Sequence, residues 1–139
     1  MHHVAILALD GFVPFDLGIP CDLFGRAASG TRQLYTVTVC GPRPSSEGLW
    51  FNLSRLADLT CLEQADTIII PGVWNTTQTI APEVLTALRA AADRGGRLAS
   101  ICTGAFVLAE AGILDGLRAT THWMSVSELG ERFPKIAVV

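Results

Sequence analysis

The sequence has little charge. Only 17% of its 139 residues are Asp, Glu, Lys or Arg, and the formal net charge is −3. Lys135 is the single lysine and no basic stripe forms, so this chain alone is a poor nucleic-acid binder. Aromatic residues make up 7% and there is one tyrosine, Tyr35. No apolar run approaches the roughly 18–20 residues that a membrane span requires, and no signal peptide is present, which points to the cytoplasm and away from a membrane. The four cysteines, at 21, 40, 61 and 102, form no C-x-x-C pair and have no histidine at zinc spacing. They therefore read as free thiols, and neither a metal nor a cofactor is expected. There is no internal repeat, low-complexity tract or linker.

Apolar residues are plentiful, at 50% of the chain, enough to bury a core in one domain over residues 1–139. Val4 to Leu9 is an uninterrupted apolar run that stops at Asp10-Gly11, as a strand buried on both faces does. Pro20-Cys21-Asp22-Leu23-Phe24 reads as a short helix closed by Gly25, and Leu34–Cys40 as a β-branched strand. Gly41 to Ser46 is a loop by composition, and Leu49–Leu53 a short strand or hairpin arm. Thr67–Ile70 ends sharply at Pro71-Gly72, and a helix from Pro82 to Gly95 follows. Arg97–Cys102 is the next strand and Ala105–Leu114 a helix apolar almost all round. After Asp115-Gly116 come a strand over Arg118–Thr121, a helix to Arg132 opened by the capping box Ser125-x-x-Glu128, and a strand beginning at Ile136. Alternating strands and helices with apolar central strands imply an α/β fold with a mostly parallel, flavodoxin-like sheet flanked by helices. The chain stops inside an apolar strand, so the native polypeptide is expected to continue beyond Val139.

Chemistry concentrates at Ser100-Ile101-Cys102-Thr103-Gly104-Ala105. A strand meets a helix with Cys102 at the corner and small residues, Ser100 and Gly104, two positions either side. That is the pattern of a nucleophile elbow. It equally fits a packed cysteine with a glycine that eases helix–sheet contact. Three more positions stand out. Gly72 ends the strongest strand and allows close backbone approach. Asp16 sits between Phe15 and Leu17, where its charge is disfavoured. His122 closes the stretch Ala119-Thr120-Thr121-His122-Trp123. Taken singly, each also fits a structural role: a turn glycine, a helix cap, a structural hydrogen-bonder.

Together these stretches, with Ala111-Gly112-Ile113-Leu114-Asp115-Gly116 and Asp16-x-x-x-Pro20, resemble the ThiJ/PfpI superfamily along essentially the whole chain. The resemblance implies the class I glutamine-amidotransferase-like fold. It implies a reactive Cys102 with Asp16 as its acidic partner and His122 as the pocket histidine. It also implies a ligand pocket at Gly72, Val73, Thr103 and Gly104, with Gly72 as backbone donor and the Thr103 N–H and hydroxyl facing the thiol. Protease-like members have His directly after the cysteine, whereas this chain has Thr103. Two branches remain. One is the N-terminal domain of AraC-type transcription regulators, a non-catalytic sensor and homodimerisation module for an unknown small molecule. In that branch DNA is reached only through a helix-turn-helix domain absent from this chain. The other is the isocyanide hydratases, in which the cysteine attacks an isonitrile carbon. Val13-Pro14-Phe15-Asp16-Leu17 and Glu131-Arg132-Phe133-Pro134 resemble the regulators more.

Overall fold

A computed structural model describes residues 1–139. β1 (His2–Leu7), β2 (Tyr35–Cys40), β3 (Thr67–Ile70) and β4 (Arg97–Ser100) form one parallel sheet in the order β2-β1-β3-β4. β1 is central and buried on both faces, which explains its unbroken apolar run. Its side chains alternate. Ala5 and Leu7 join Ile68 and Ile70 in the larger core, whereas Val4 and Ile6 join Ile69 on the opposite face.

α2 (Thr60–Gln64), α3 (Pro82–Asp93) and α4 (Ala105–Glu110) contribute Leu62, Val84, Leu88, Val107 and Leu108 to the larger core. α1 (Pro14–Arg26) covers the other face with Leu17, Cys21 and Phe24. Those three positions recur at i, i+4 and i+7, the spacing of one helical stripe. Packing along that stripe carries the helix through Pro20, so α1 begins six residues before the start read from the sequence. It also runs through Gly25 and ends at Arg26.

Beyond the sheet, β5 (Arg118–Ala119) and β6 (Ala137–Val138) pair in parallel as a separate ribbon. α5 (Val126–Arg132) packs there, with Phe106, Ala109, Leu129 and Ile136 as a small second core. The capping box does not form. Ser125 is the N-cap but makes no side-chain cap bond, its N–H is given to the His122 carbonyl at 2.8 Å, and the Glu128 carboxylate is taken by two other partners. It accepts from the Thr76 hydroxyl at 2.8 Å and from Arg132 at 2.8 Å.

Other boundaries shift as well. β4 ends at Ser100, since Cys102 already starts a 3₁₀ turn. α4 ends at Glu110, and Gly112, at φ +77°, turns the chain away. The 49–53 region is one arm of a hairpin pairing Ser46–Glu47 with Asn52–Leu53. α2 was not legible from periodicity. A local device starts it: Asp58 Oδ1 accepts from the Thr60 N–H at 3.0 Å and from its hydroxyl.

With β1 between β2 and β3, the chain changes direction across the sheet between β1 and β3, where open α/β sheets keep their sites. The loops leaving those two strands are tied together there. Val13 N–H donates to the Gly72 carbonyl at 2.8 Å and Trp74 N–H to the Gly11 carbonyl at 2.9 Å.

Candidate functional site

Cys102 leaves β4 with φ +55°, one of two non-glycine residues in the left-handed region. That conformation is uncommon for a residue with a Cβ. It is held from three sides. Ile101 N–H donates to the Ile70 carbonyl at 2.9 Å, Gly104 N–H donates to the Ile101 carbonyl at 2.9 Å, and the Thr121 hydroxyl donates to the Cys102 carbonyl at 2.9 Å. Thr121 was not singled out from the sequence, although it lies in the quoted stretch before His122. A hydroxyl fixing a carbonyl nineteen residues away leaves no local pattern.

Asp16, Gly72, Thr103 and Cys102 converge. A Cβ placed on Gly72 would lie 2.4 Å from Asp16 Oδ2, 3.1 Å from Thr103 Oγ1 and 3.3 Å from Cys102 Cβ. The glycine is therefore what lets β3 approach the cysteine turn. Asp16 is buried, and its Oδ2 accepts from the Gly72 N–H at 3.2 Å. Burial raises its carboxyl above the usual range, against the opposing pull of that N–H and of His122.

The polar groups at this junction are largely occupied by one another. The Gly72 N–H is directed at Asp16, not left free across a pocket. The Thr103 hydroxyl donates to the Val73 carbonyl at 2.7 Å and accepts from the Val73 N–H at 2.8 Å, so it is turned to β3's exit loop and not to the thiol. His122 Nδ1 accepts from the Met124 N–H at 3.3 Å, as the N-cap of a 3₁₀ turn. Gly104 is buried, with Ile70 O 2.2 Å from where its Cβ would be, and so serves close packing.

A well-formed concavity lies elsewhere. A groove of about 320 Å³ opens between the end of β1, the loop after β2 and the start of α3. Asp10, Arg43, Ser45, Gln78, Thr79 and Glu83 supply its polar lining, and Arg43 pairs with Asp10 across it. Cys102, Asp16 and His122 do not line it. The residues that form it come from three separate stretches, and none of them was a candidate site residue in the sequence.

The Asp16 environment carries a stability prediction. An acid with its folded-state pKa raised binds protons more tightly when folded. Its contribution favours the folded state most at low pH and is lost as pH rises from the unfolded value toward the folded one. Asp16→Asn keeps an acceptor for Gly72 and removes the buried charge. The variant is expected to melt above wild type at pH 7, with the gap closing as the pH falls toward about 4, the unfolded value. Thermal melts across that range check it; a constant gap would refute the assignment.

Residues 2–137 match the DJ-1/PfpI family. The chain belongs to that family. It is 33% identical over 135 residues to a protein encoded in the cpoL 5′ region of Streptomyces lividans, covering 96% of both chains. It is 37% identical over 141 residues to the HTH-type transcriptional regulator GbdR of Pseudomonas aeruginosa, where it spans 97% of this chain but 38% of the regulator. A shorter match, 37% over 86 residues, joins 59% of this chain to 36% of an isonitrile hydratase of Pseudomonas putida. Among solved structures, an AraC family transcriptional regulator from Pseudomonas putida superposes with a TM-score of 0.80 at 22% identity, covering 100% of this chain and 76% of that one. The likeness shows the shared parallel-sheet fold. The relatives that this chain matches thus include helix-turn-helix regulators, over part of their length, and, over a shorter stretch, an isonitrile hydratase.

Proposed function

We propose that this DJ-1/PfpI domain is the ligand-sensing and dimerisation domain of a cytoplasmic AraC-family transcription regulator and is not itself catalytic. The observation that carries the non-catalytic reading is the self-satisfaction of the Cys102 junction. The Gly72 N–H and the Thr103 hydroxyl are both spent inside the fold. An oxyanion site needs donors free and aimed at the reacting atom. The match to GbdR over 97% of the chain supports the regulator reading. A small ligand would be taken in the groove beside Asp10 and Arg43, whose volume falls in the range of ligand pockets. Any DNA contact would belong to a separate helix-turn-helix domain.

A second reading, a cysteine hydratase of the isonitrile type, is favoured by one observation: the left-handed backbone of Cys102 beside a buried acid, Asp16. In it, Cys102 is the nucleophile, Asp16 manages the protons and His122 completes the site. The two readings separate on incubation with cyclohexyl isocyanide. Wild type is expected to form no N-formamide above the buffer rate, and sedimentation is expected to show a dimer that Cys102→Ala leaves intact. Formamide production abolished by Cys102→Ala would overturn the sensor reading.

A further inference from the structure

The loop from β3 to α3 supplies one wall of the groove, with Gln78, Thr79, Ile80 and Ala81. Its middle is stiff. Asn75 Oδ1 accepts from the Thr77 N–H at 3.0 Å and from its hydroxyl at 2.7 Å, and the Gln78 N–H donates to the Asn75 carbonyl at 3.3 Å. A side-chain turn of this kind holds its residues as one piece. Thr76 lies inside that turn, and α5 grips it at two points. Its hydroxyl donates to Glu128 Oε1 at 2.8 Å, and its carbonyl accepts from Arg132 at 3.0 Å, across 52 and 56 residues of chain. Glu128 and Arg132 stand at i and i+4 on one face of α5 and bond to each other at 2.8 Å.

An ion pair at a surface ordinarily contributes little. Asp22 and Arg26 on α1 are such a pair, with the same spacing, 3.4 Å apart, both exposed and bonded only to each other. On α5 each charged group has a second partner on the loop. The Arg132 guanidinium also lies 5.1 Å from the centre of the Phe106 ring and 5.3 Å from that of Phe133. Phe106 belongs to α4, so one side chain touches the loop, α4 and α5.

We propose, resting on the reading of the groove as the ligand site, that this grip makes the groove wall and α5 one coupled unit, so that what fills the groove is felt at α5. An occupant shifts an equilibrium only through contacts that differ between its states. Contacts at Gln78 and Thr79 press on the stiff turn. The turn then either carries Glu128 and Arg132 with it or gives up their bonds. Either way α5 responds, and Leu129 passes the change to Phe106 and Ile136 in the second core, beside β6. The other end of the loop is bonded to Thr103 through Val73, so the Cys102 turn belongs to the same unit.

Hydrogen exchange on the whole chain, read by mass spectrometry, measures the coupling without a ligand, so its failure is separate from failure of the sensor reading. Arg132→Met is expected to speed exchange about tenfold over residues 74–81, across the contact, and to leave β1 unchanged. Reciprocally, Thr76→Val is expected to speed exchange at least about threefold over residues 126–132. Arg26→Met, the control, is expected to change neither segment. Thr79→Trp, which fills the groove from the loop side, is expected to alter exchange over residues 126–132 by at least about threefold, and to lose that effect once Glu128→Ala and Arg132→Met are added. Should Arg132→Met speed β1 as well, Glu128→Ala takes its place, and Gln78→Trp replaces Thr79→Trp if the latter does not keep the parent's circular dichroism. Faster exchange confined to the mutated element in both Arg132→Met and Thr76→Val overturns the coupling. A filled groove that leaves α5 unchanged, or that still alters it after both grip residues are lost, overturns the route from the groove.

Discussion

Gly104→Ala is expected to lower stability by about 3–5 kcal/mol, and so the melting temperature by roughly 10 °C or more. The backbone does not forbid the change, since Gly104 has φ −57°, a value alanine adopts freely. The obstacle is contact. The added Cβ would sit 2.2 Å from Ile70 O and 2.9 Å from Pro71 O. Both are backbone atoms at the end of β3, which is hydrogen-bonded into the sheet at Ile69 and Ile70 and buried. Relief requires moving the cysteine turn away from β3, which opens the contacts that Gly72 makes with Asp16, Thr103 and Cys102. Gly18→Ala serves as the control. Gly18 lies inside α1 with nothing within 4 Å of its missing Cβ. Helix propensity alone then operates, and Gly18→Ala is expected to stabilise by about 0.5–1 kcal/mol. Parallel thermal melts of the two variants check the argument. A Gly104→Ala protein as stable as wild type would mean that the helix start is free to move.

Cys102→Val is expected to cost about 2–3 kcal/mol, while Cys102→Gly is expected to be neutral or to stabilise by up to ~1 kcal/mol. The reason is the φ of +55° at this position. Glycine visits the left-handed region without penalty, a cysteine or serine tolerates it at some cost, and a β-branched side chain is a true outlier there. The surrounding bonds over-determine the turn. Ile101 N–H is tied to Ile70, Gly104 N–H to Ile101 and the Cys102 carbonyl to Thr121. The chain therefore cannot relax to a negative φ without losing several of them. Chemical denaturation of the three proteins decides the matter. If valine and glycine behave alike, the backbone at 102 is not strained, and the unusual conformation ceases to be an argument for a reactive thiol. Thr121→Val offers an independent probe. It removes the hydroxyl that holds the Cys102 carbonyl and is expected to cost about 1 kcal/mol.

The parallel sheet was readable from the sequence, because strands buried on both faces must be continuously apolar. Val4–Leu9 and Thr67–Ile70 carry that signature and fall on β1 and β3. α3 was readable for a related reason, with Pro82 at its first turn and Val84, Leu88 and Ala91 buried along one stripe. Short elements were not. α1 runs through a proline that local rules place at a helix start, because its stripe on the sheet outweighs the bond lost at Pro20. The Ser125–Glu128 pair had the composition of a capping box, but Thr76 and Arg132 compete for Glu128 and win.

The sequence by itself determined the fold class and marked Asp16, Gly72 and Cys102, because each leaves a mark in residue type: an acid among apolar neighbours, a glycine after a strand, a cysteine between a strand and a helix; Thr103 entered only through the family resemblance. Tertiary structure alone decided which partners those groups take. Gly72 N–H turns to Asp16, the Thr103 hydroxyl turns to Val73, and the Thr121 hydroxyl turns to the Cys102 carbonyl. Donor and acceptor choice depends on distances between segments tens of residues apart, and the sheet order β2-β1-β3-β4 sets those distances.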